Sequence, residues 1–386
     1  MLDVILFDDD AWSDSAEFAL GMRELRKRLP AVRRWYAVRD SAPAPANFPA
    51  WSDAPLLIVI LNPAIIVSDN LVMELTAGIA SGDRTADCVL PNDPRALASD
   101  ASPDYATRPG FDRFVARLAE PEGGARWTNY DGRSPWIYLV ARDALANLAA
   151  NHQDLSWSDV PSLLGSRTII ARHAFVHSYA DYRLNSRNEM LGLLPADTRT
   201  LLDVGGGEGN FARAFMAQRG GKATLLELNP HAAAAARSRG LDVVVGDIES
   251  LAVNTRYDCV AFLDVLEHLV DPLAALLKAH RIIVPGGSVL LSVPNVGHWS
   301  VVWDLLQGEF DYQPVGILCN THLRFFTRRG LERLLNDARF TVERWEDVPS
   351  PIPAAFAAVL DACPQGFAID RASLATESFH VLARGD

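Results

Sequence analysis

The sequence predicts an α/β protein on three observations. At 200–210 a short apolar run (Leu201, Leu202, Val204) gives way to Gly205, Gly206, Gly207 and Gly209, and a helical pattern starts at Phe211. Strand, glycine turn and helix form a nucleotide-binding βα unit: glycine lets the backbone approach a ligand, and the helix start offers N–H groups. Downstream, apolar runs that end in an acid recur, at Glu227, Asp247 and Asp264. Upstream, apolar runs alternate with amphipathic stretches, as strands and helices do in a layered α/β fold.

The chain has 386 residues, room for more than one domain, and its 49% hydrophobic and 22% charged composition is that of a soluble globular protein. A formal charge of -12 argues against a nucleic-acid groove, which needs a basic stripe. Cys88, Cys259, Cys319 and Cys363 have no paired short spacing, so neither a disulfide framework nor a zinc ribbon is expected. A reducing, cytoplasmic setting follows, and the first residues have no basic-then-apolar signal pattern. The longest apolar run, 56–67, contains Asn62-Pro63 and is too short to span a bilayer.

In chain order, Val4-Ile5-Leu6-Phe7 predicts a strand that ends in Asp8-Asp9-Asp10, a cluster read as a solvated loop. An amphipathic helix is expected over 15–29, stopped by Pro30, then a short strand at 35–38 and an Ala/Pro-rich linker at 41–50. Strands are expected at 56–61, 88–90 and 136–140, and helices at 69–80 and 111–119. These make a smaller α/β domain over 1–155. Within it, Ile60-Leu61-Asn62-Pro63 resembles the middle of family-2-type glycosyltransferase domains, where an acid beside the asparagine helps hold a metal and a sugar nucleotide. Pro63-Ala64 stand there instead, so the resemblance implies a degenerate domain that binds a sugar nucleotide or a partner. Trp157, Pro161 and Gly165 punctuate 156–178, which is expected to be a linker with a helix. On a helix His173 and His177 would share one face, read as packing rather than metal binding. Tyr179, Tyr182 and Arg183 precede the glycine unit and can fold over its ligand.

A dinucleotide fingerprint needs glycine at the first, third and sixth positions of the turn, and counting from Gly205 the sixth is Asn210. With Asp203 two residues before Gly205, the pattern is acid-x-Gly-x-Gly-x-Gly, which resembles motif I of class I S-adenosylmethionine-dependent methyltransferases. Four features follow in that family's order: Thr224-Leu-Leu-Glu227, Val243-Val-Val-Gly-Asp247-Ile248, Tyr257-Asp-Cys-Val-Ala-Phe-Leu-Asp264, and Pro285-Gly-Gly287 before an apolar strand. The resemblance implies S-adenosyl-L-methionine as cofactor. It implies contacts from Tyr179, Arg183, Asp203, Gly205, Gly207, Gly209 and Asp264, from Glu227 and Leu228 at the ribose, and from Asp247 and Ile248 at the adenine. It also implies a Rossmann-like seven-stranded sheet of order 3-2-1-4-5-7-6 over 179–386, closed by antiparallel strands at 340–348 and 378–383.

Leu266-Glu267-His268 with Asp271-Pro272, Ser292-Val-Pro-Asn295 and Thr321-His322-Leu-Arg-Phe-Phe-Thr327 resemble the methyltransferase-23, or ubiquinone-type, subgroup. Cys319 and Gly206 depart from it, standing where relatives commonly carry an acid and a cysteine. The subgroup implies a small polar acceptor, a hydroxyl of a sugar or glycan precursor or of a secondary metabolite, with N-, C- or S-methylation of a natural product as the alternative. Removing a hydroxyl proton calls for a base that titrates near neutrality, and His268, His298 and His322 are the candidates, His268 first. Asp264, Glu267 and His268 resemble a set proposed in ubiquinone-pathway relatives to hold a divalent metal. Asp264 is equally placed for the cofactor, and no metal ligand is assigned. The helical insertion at 349–375 either covers the acceptor pocket or forms an oligomer contact such as a homodimer's.

Overall fold

Apolar strands and amphipathic helices assemble into two sheets, each in its own unit, residues 1–180 and 181–386 of the computed structural model. The structure describes residues 2–7, 16–38, 45, 52–80, 86–96, 107–119, 125–152, 154–178, 187–248, 255–364, 366 and 368–386.

The first unit contains β1 (Leu2–Phe7), β2 (Val32–Val38), β3 (Leu56–Ile60), β4 (Ile65–Val67), β5 (Cys88–Asn92), β6 (Trp127–Asn129), β7 (Ile137–Ala141) and β8 (Thr168–Ser178). Their order is β2-β1-β3-β7-β5-β8-β4, with β6 also paired to β8. β1 runs parallel to β2 and β3, and β7 runs antiparallel between β3 and β5. One face of the sheet packs Val4, Ile58, Ile60, Leu71 and Leu75, and the other packs Ile5, Leu57, Val59 and Tyr138. Alternate residues of β1 and β3 thus feed opposite cores, as a strand period of two requires.

Two expectations are corrected here. The linker expected at 156–178 is a short helix, Val160–Leu164, followed by the eleven residues of β8. β8 pairs with β4, β5 and β6, so the first unit runs to residue 180 rather than 155. His173 and His177 lie on this strand and not on a helix. The register of β8 against β5 jumps from Ala171↔Pro91 to Phe175↔Asn92, and this bulge breaks the alternation that would have marked a strand in the sequence. Asp8-Asp9-Asp10, Tyr179, Tyr182 and Arg183 lie outside the described residues.

The second unit contains β9 (Thr200–Val204), β10 (Lys222–Glu227), β11 (Asp242–Val245), β12 (Tyr257–Leu263), β13 (Ile283–Pro294), β14 (Phe340–Pro349) and β15 (Thr376–Gly385). Their order is β11-β10-β9-β12-β13-β15-β14, which is 3-2-1-4-5-7-6 counted within the unit. The first five strands are parallel, and β15 is antiparallel to both β13 and β14. On β9 and β12, Leu202, Val204, Val260 and Phe262 enter one core, and Leu201, Cys259 and Ala261 enter the other. Strands covered on both faces read as continuous apolar runs, which is why this part of the chain was legible.

From β9 the chain crosses to β10 on one side, while β12 lies on the other. That reversal opens a crevice beyond the carboxyl ends of β9 and β12, where open α/β sheets bind ligands. The insertion after β14 holds two helices, Ala354–Asp361 and Arg371–Leu374, whose Phe356, Leu360 and Leu374 pack with Trp299.

Candidate active site

The turn after β9 is built on left-handed backbone. Gly205, Gly207 and Gly209 have φ of 67°, 58° and 76°, a region costly for any residue with a Cβ. A Cβ added to Gly207 would meet nothing within 4 Å, so open space lies over the middle of the turn. A Cβ on Gly206 would lie 2.3 Å from Oδ2 of Asp203, and the turn rests on that acid.

Asp203 is 1% exposed, and neither carboxylate oxygen has a hydrogen-bond partner of normal geometry among the described residues. It supports the turn from beneath rather than facing solvent. Burial raises its pKa to about 7. The unfolded value is near 3.9, so the native state takes up a proton between these values and stability falls as pH rises from about 4 to about 7. Asp203→Asn does not titrate. Thermal unfolding of this variant should match wild type near pH 4.5 and exceed it at pH 8, by on the order of 2–4 kcal/mol. An equal offset at both pH values would remove the buried charge as the cause.

Glu227 ends β10 and is buried. Its Oε2 accepts the N–H of Gly207 at 2.8 Å and its Oε1 accepts the N–H of Asn229 at 2.7 Å. Each oxygen keeps lone-pair capacity for a further donor, which suits paired ribose hydroxyls. Leu228, next in the chain, is exposed. Asp247 follows Gly246, which has φ of 153°, and is half-buried, while Ile248 is fully buried in the core that also holds Leu226 and Val265.

Beyond β12, Asp264 has φ of 54°, a strained value for a residue with a side chain. The hydroxyl of Ser292 donates to its Oδ1 at 2.6 Å, and Arg187 forms an ion pair with its Oδ2. Arg187 itself has φ of 49°. Two of the three described non-glycine residues with positive φ are thus partners in one ion pair at the crevice. The sequence carried no signal for Arg187, because the pairing depends on the fold.

Glu267, His268 and His322 converge, with one polar atom from each lying within 4.8 Å of the others. The Asp264/Glu267/His268 set is therefore divided: Asp264 meets Ser292 and Arg187, and the other two meet His322. The two imidazoles stack edge-on with centroids 4.8 Å apart. Nδ1 of His268 lies 3.2 Å from the carbonyl of Thr321, and Nδ1 of His322 lies 2.9 Å from the carbonyl of Ile317. A carbonyl only accepts, so each Nδ1 carries a proton and donates it to that carbonyl. Glu267 is fully buried, its carboxyl has no hydrogen-bond partner among the described residues, and burial raises its pKa to about 8. Its backbone carbonyl accepts the N–H groups of Leu323 (2.7 Å) and Arg324 (3.0 Å), which ties the 321–327 phrase to the end of β12.

His298 is placed differently. It is buried, caps the helix Trp299–Leu306 and lies 2.8 Å from the hydroxyl of Ser300 through Nδ1, and burial lowers its pKa to about 4. It is a neutral helix cap, and it drops out of the catalytic candidates. Asn295 is likewise structural: it donates to the carbonyls of Ser373 (2.8 Å) and Thr376 (2.7 Å) and holds the loop after β13 against the start of β15. Cys319 is buried, with Sγ 3.2 Å from the hydroxyl of Thr321.

Residues 175–344 match the family described as a methyltransferase domain, methyltransferase 23. The ubiquinone biosynthesis O-methyltransferase of Alkalilimnicola ehrlichii is 33% identical over 143 residues, 35% of this chain and 57% of that protein. Its counterpart in Pseudomonas paraeruginosa is 32% identical over 146 residues, 36% of this chain and 61% of that protein. The chain thus spans about three fifths of the length of these curated relatives. Among solved structures, an S-adenosylmethionine-dependent methyltransferase from Mesorhizobium loti is 18% identical and covers 51% of this chain and 95% of its own, with a TM-score of 0.36. The residues present fit S-adenosylmethionine: a left-handed glycine turn with open space over Gly207, a carboxylate with capacity for two hydroxyls, and a crevice at the strand reversal. With this strand order and this family match, the C-terminal half of the chain is a class I S-adenosylmethionine-dependent methyltransferase domain.

Proposed function

We propose that this chain is an O-methyltransferase that moves the methyl group of S-adenosylmethionine to a hydroxyl of a small-molecule acceptor. The observation that carries this reading is the His268–His322 pair beyond the end of β12, two imidazoles in edge-on contact with each Nδ1 held by a backbone carbonyl. S-adenosylmethionine, which the glycine turn and Glu227 would hold, would supply an electrophilic methyl group to the acceptor hydroxyl, and His268 or His322 is placed to take the hydroxyl proton. Alignment of the reacting atoms supplies several kcal/mol, and a positioned base adds about 10²–10⁴ in rate. The names of the curated relatives support a hydroxyl over an amine, carbon or thiol acceptor.

The first unit is proposed to be an accessory binding platform. Asn62, at the end of β3, is engaged by the hydroxyl of Ser178 and the N–H of Ala64, and Pro63-Ala64 offer no carboxylate there. A cytosolic setting is supported by four free cysteines and by the lack of any helix, among the described residues, long and apolar enough to cross a membrane. The charge of -12 supports an acceptor other than nucleic acid.

The test is transfer from methyl-labelled S-adenosylmethionine to a panel of hydroxyl, amine and thiol acceptors, with the labelled atom located by mass spectrometry. Label on oxygen is expected. Absence of cofactor binding, or label only on nitrogen or sulfur, would sink the proposal.

A further inference from the structure

We propose that the methyltransferase unit carries a second binding site, separate from the cofactor crevice, that takes a small phosphate monoester and lowers cofactor affinity when filled. The site is a groove of about 590 Å³ between the helix Asn210–Arg219 and the turn after the helix Pro230–Ser238. Asn210, Arg213, Ala214 and Ala217 line one wall, and their spacing of three and four residues puts them on one helix face. Arg239, Gly240 and Leu241 line the other. A Cβ added at Gly240 would meet nothing within 4 Å, so this wall opens onto free space.

The charge of the groove selects its ligand. The chain as a whole is acidic, at -12, yet from Gly209 to Leu241 it carries Arg213, Arg219, Lys222, Arg237 and Arg239 against a single acid, Glu227. Glu227 is buried and engaged by the N–H groups of Gly207 and Asn229. Arg219 donates to the carbonyls of Leu191 and Leu194, and Arg237 to that of Val243. Arg213 has no ion pair or side-chain hydrogen bond among the described residues, and Arg239 has one carboxylate partner, Glu208. Guanidinium N–H donors match phosphate oxygens in pairs, and two such groups suit a dianion better than a single carboxylate. Ala214, Ala217 and Leu241 give the groove an apolar floor, and its volume is that of small-molecule sites, so the phosphate is expected on an organic body.

Two residues of the groove also touch the glycine turn. Nη2 of Arg239 lies 2.5 Å from Oε2 of Glu208, the residue between Gly207 and Gly209. Leu241 packs so closely against Gly209 that a Cβ on that glycine would collide with it. A phosphate seated between Arg213 and Arg239 competes with Glu208 for the Arg239 guanidinium. Glu208 is then released, and the turn that would hold the cofactor loses one of its two ties to the groove. Phosphate ester and cofactor therefore weaken each other's binding by the same factor. The Arg239–Glu208 pair is partly exposed and such pairs are weak, so the factor is expected to be about two- to fivefold.

The experiment uses the full chain with phenyl phosphate as probe, followed by calorimetry with and without S-adenosylmethionine. We expect saturable binding of phenyl phosphate, weaker binding of inorganic phosphate and none of benzyl alcohol. Arg213→Gln and Arg239→Gln should each weaken phenyl phosphate binding by about fivefold or more. Glu208→Gln should strengthen it, because Arg239 then has no carboxylate to leave. Both arginines are exposed and Glu208 is half-buried, so an unchanged thermal transition reports intact folding. Added phenyl phosphate should raise the dissociation constant of S-adenosylmethionine to a plateau about two- to fivefold above its starting value, and in Glu208→Gln the rise should disappear. A rise without a plateau means competition inside the cofactor crevice and would overturn the proposal. So would phenyl phosphate binding that ignores both arginine variants, or no binding at all. None of these outcomes depends on which atom accepts the methyl group, so the O-methyltransferase reading stands or falls separately.

Discussion

Glu227→Ala is expected to weaken S-adenosylmethionine binding by about thirty- to several-hundred-fold in calorimetry. The carboxylate stands at the end of β10 with one backbone N–H on each oxygen, from Gly207 and from Asn229. It therefore couples the glycine turn to the next βα connection before any ligand is present. Its remaining acceptor capacity matches the two hydroxyls that a nucleoside would offer. Hydrogen bonds to a charged group are worth about 1.5–3 kcal/mol each, and a loss of about 2–4 kcal/mol in all corresponds to the stated range. Removing the side chain also leaves two N–H groups to find water, so some loss of apo stability accompanies the loss of affinity. Glu227→Gln separates these effects. It keeps one acceptor oxygen but turns an NH₂ group toward a backbone donor, so it should fall closer to alanine than to wild type. Affinity unchanged in both variants would exclude Glu227 from the cofactor site.

The cofactor half of the site was legible because its chemistry is local. Asp203, the glycines, Glu227 and Asp264 each end a buried parallel strand, and strand ends are marked in sequence by the change from apolar to polar or glycine residues. The spacing of these changes also carried the sheet order, since strands crossing by helices admit few arrangements. What could not be read were features set by long-range pairing. The strand β8 hid behind a bulge and behind Trp157, Pro161 and Gly165, which mimic a boundary. Arg187 meets Asp264 only because the fold carries the segment before β9 across the end of β12. His298 and His322 looked equivalent as histidines after strands, and only burial and partners separate a helix cap from a member of a ring pair.

His322→Ala and His268→Ala are each expected to lower kcat by about 10²–10⁴ while leaving cofactor affinity within about twofold, because a positioned base acts on the acceptor and not on the cofactor. The two rings form one unit. Each has Nδ1 fixed by a backbone carbonyl, Thr321 for His268 and Ile317 for His322, and each braces the other edge-on. Glu267 holds the assembly from its main chain, where the N–H groups of Leu323 and Arg324 close on its carbonyl. Losing either ring should therefore disturb the other, and the double variant should be little worse than the more damaged single one, as residues in direct contact are non-additive. Steady-state rates of the two singles and the double form the cycle that measures this. Full additivity would mean that the rings act separately, and an undiminished kcat in both singles would exclude the pair as the base. His298→Ala provides the contrast: loss of a helix cap costs about 0.5–2 kcal/mol of stability, and its effect should appear first in thermal unfolding rather than in turnover.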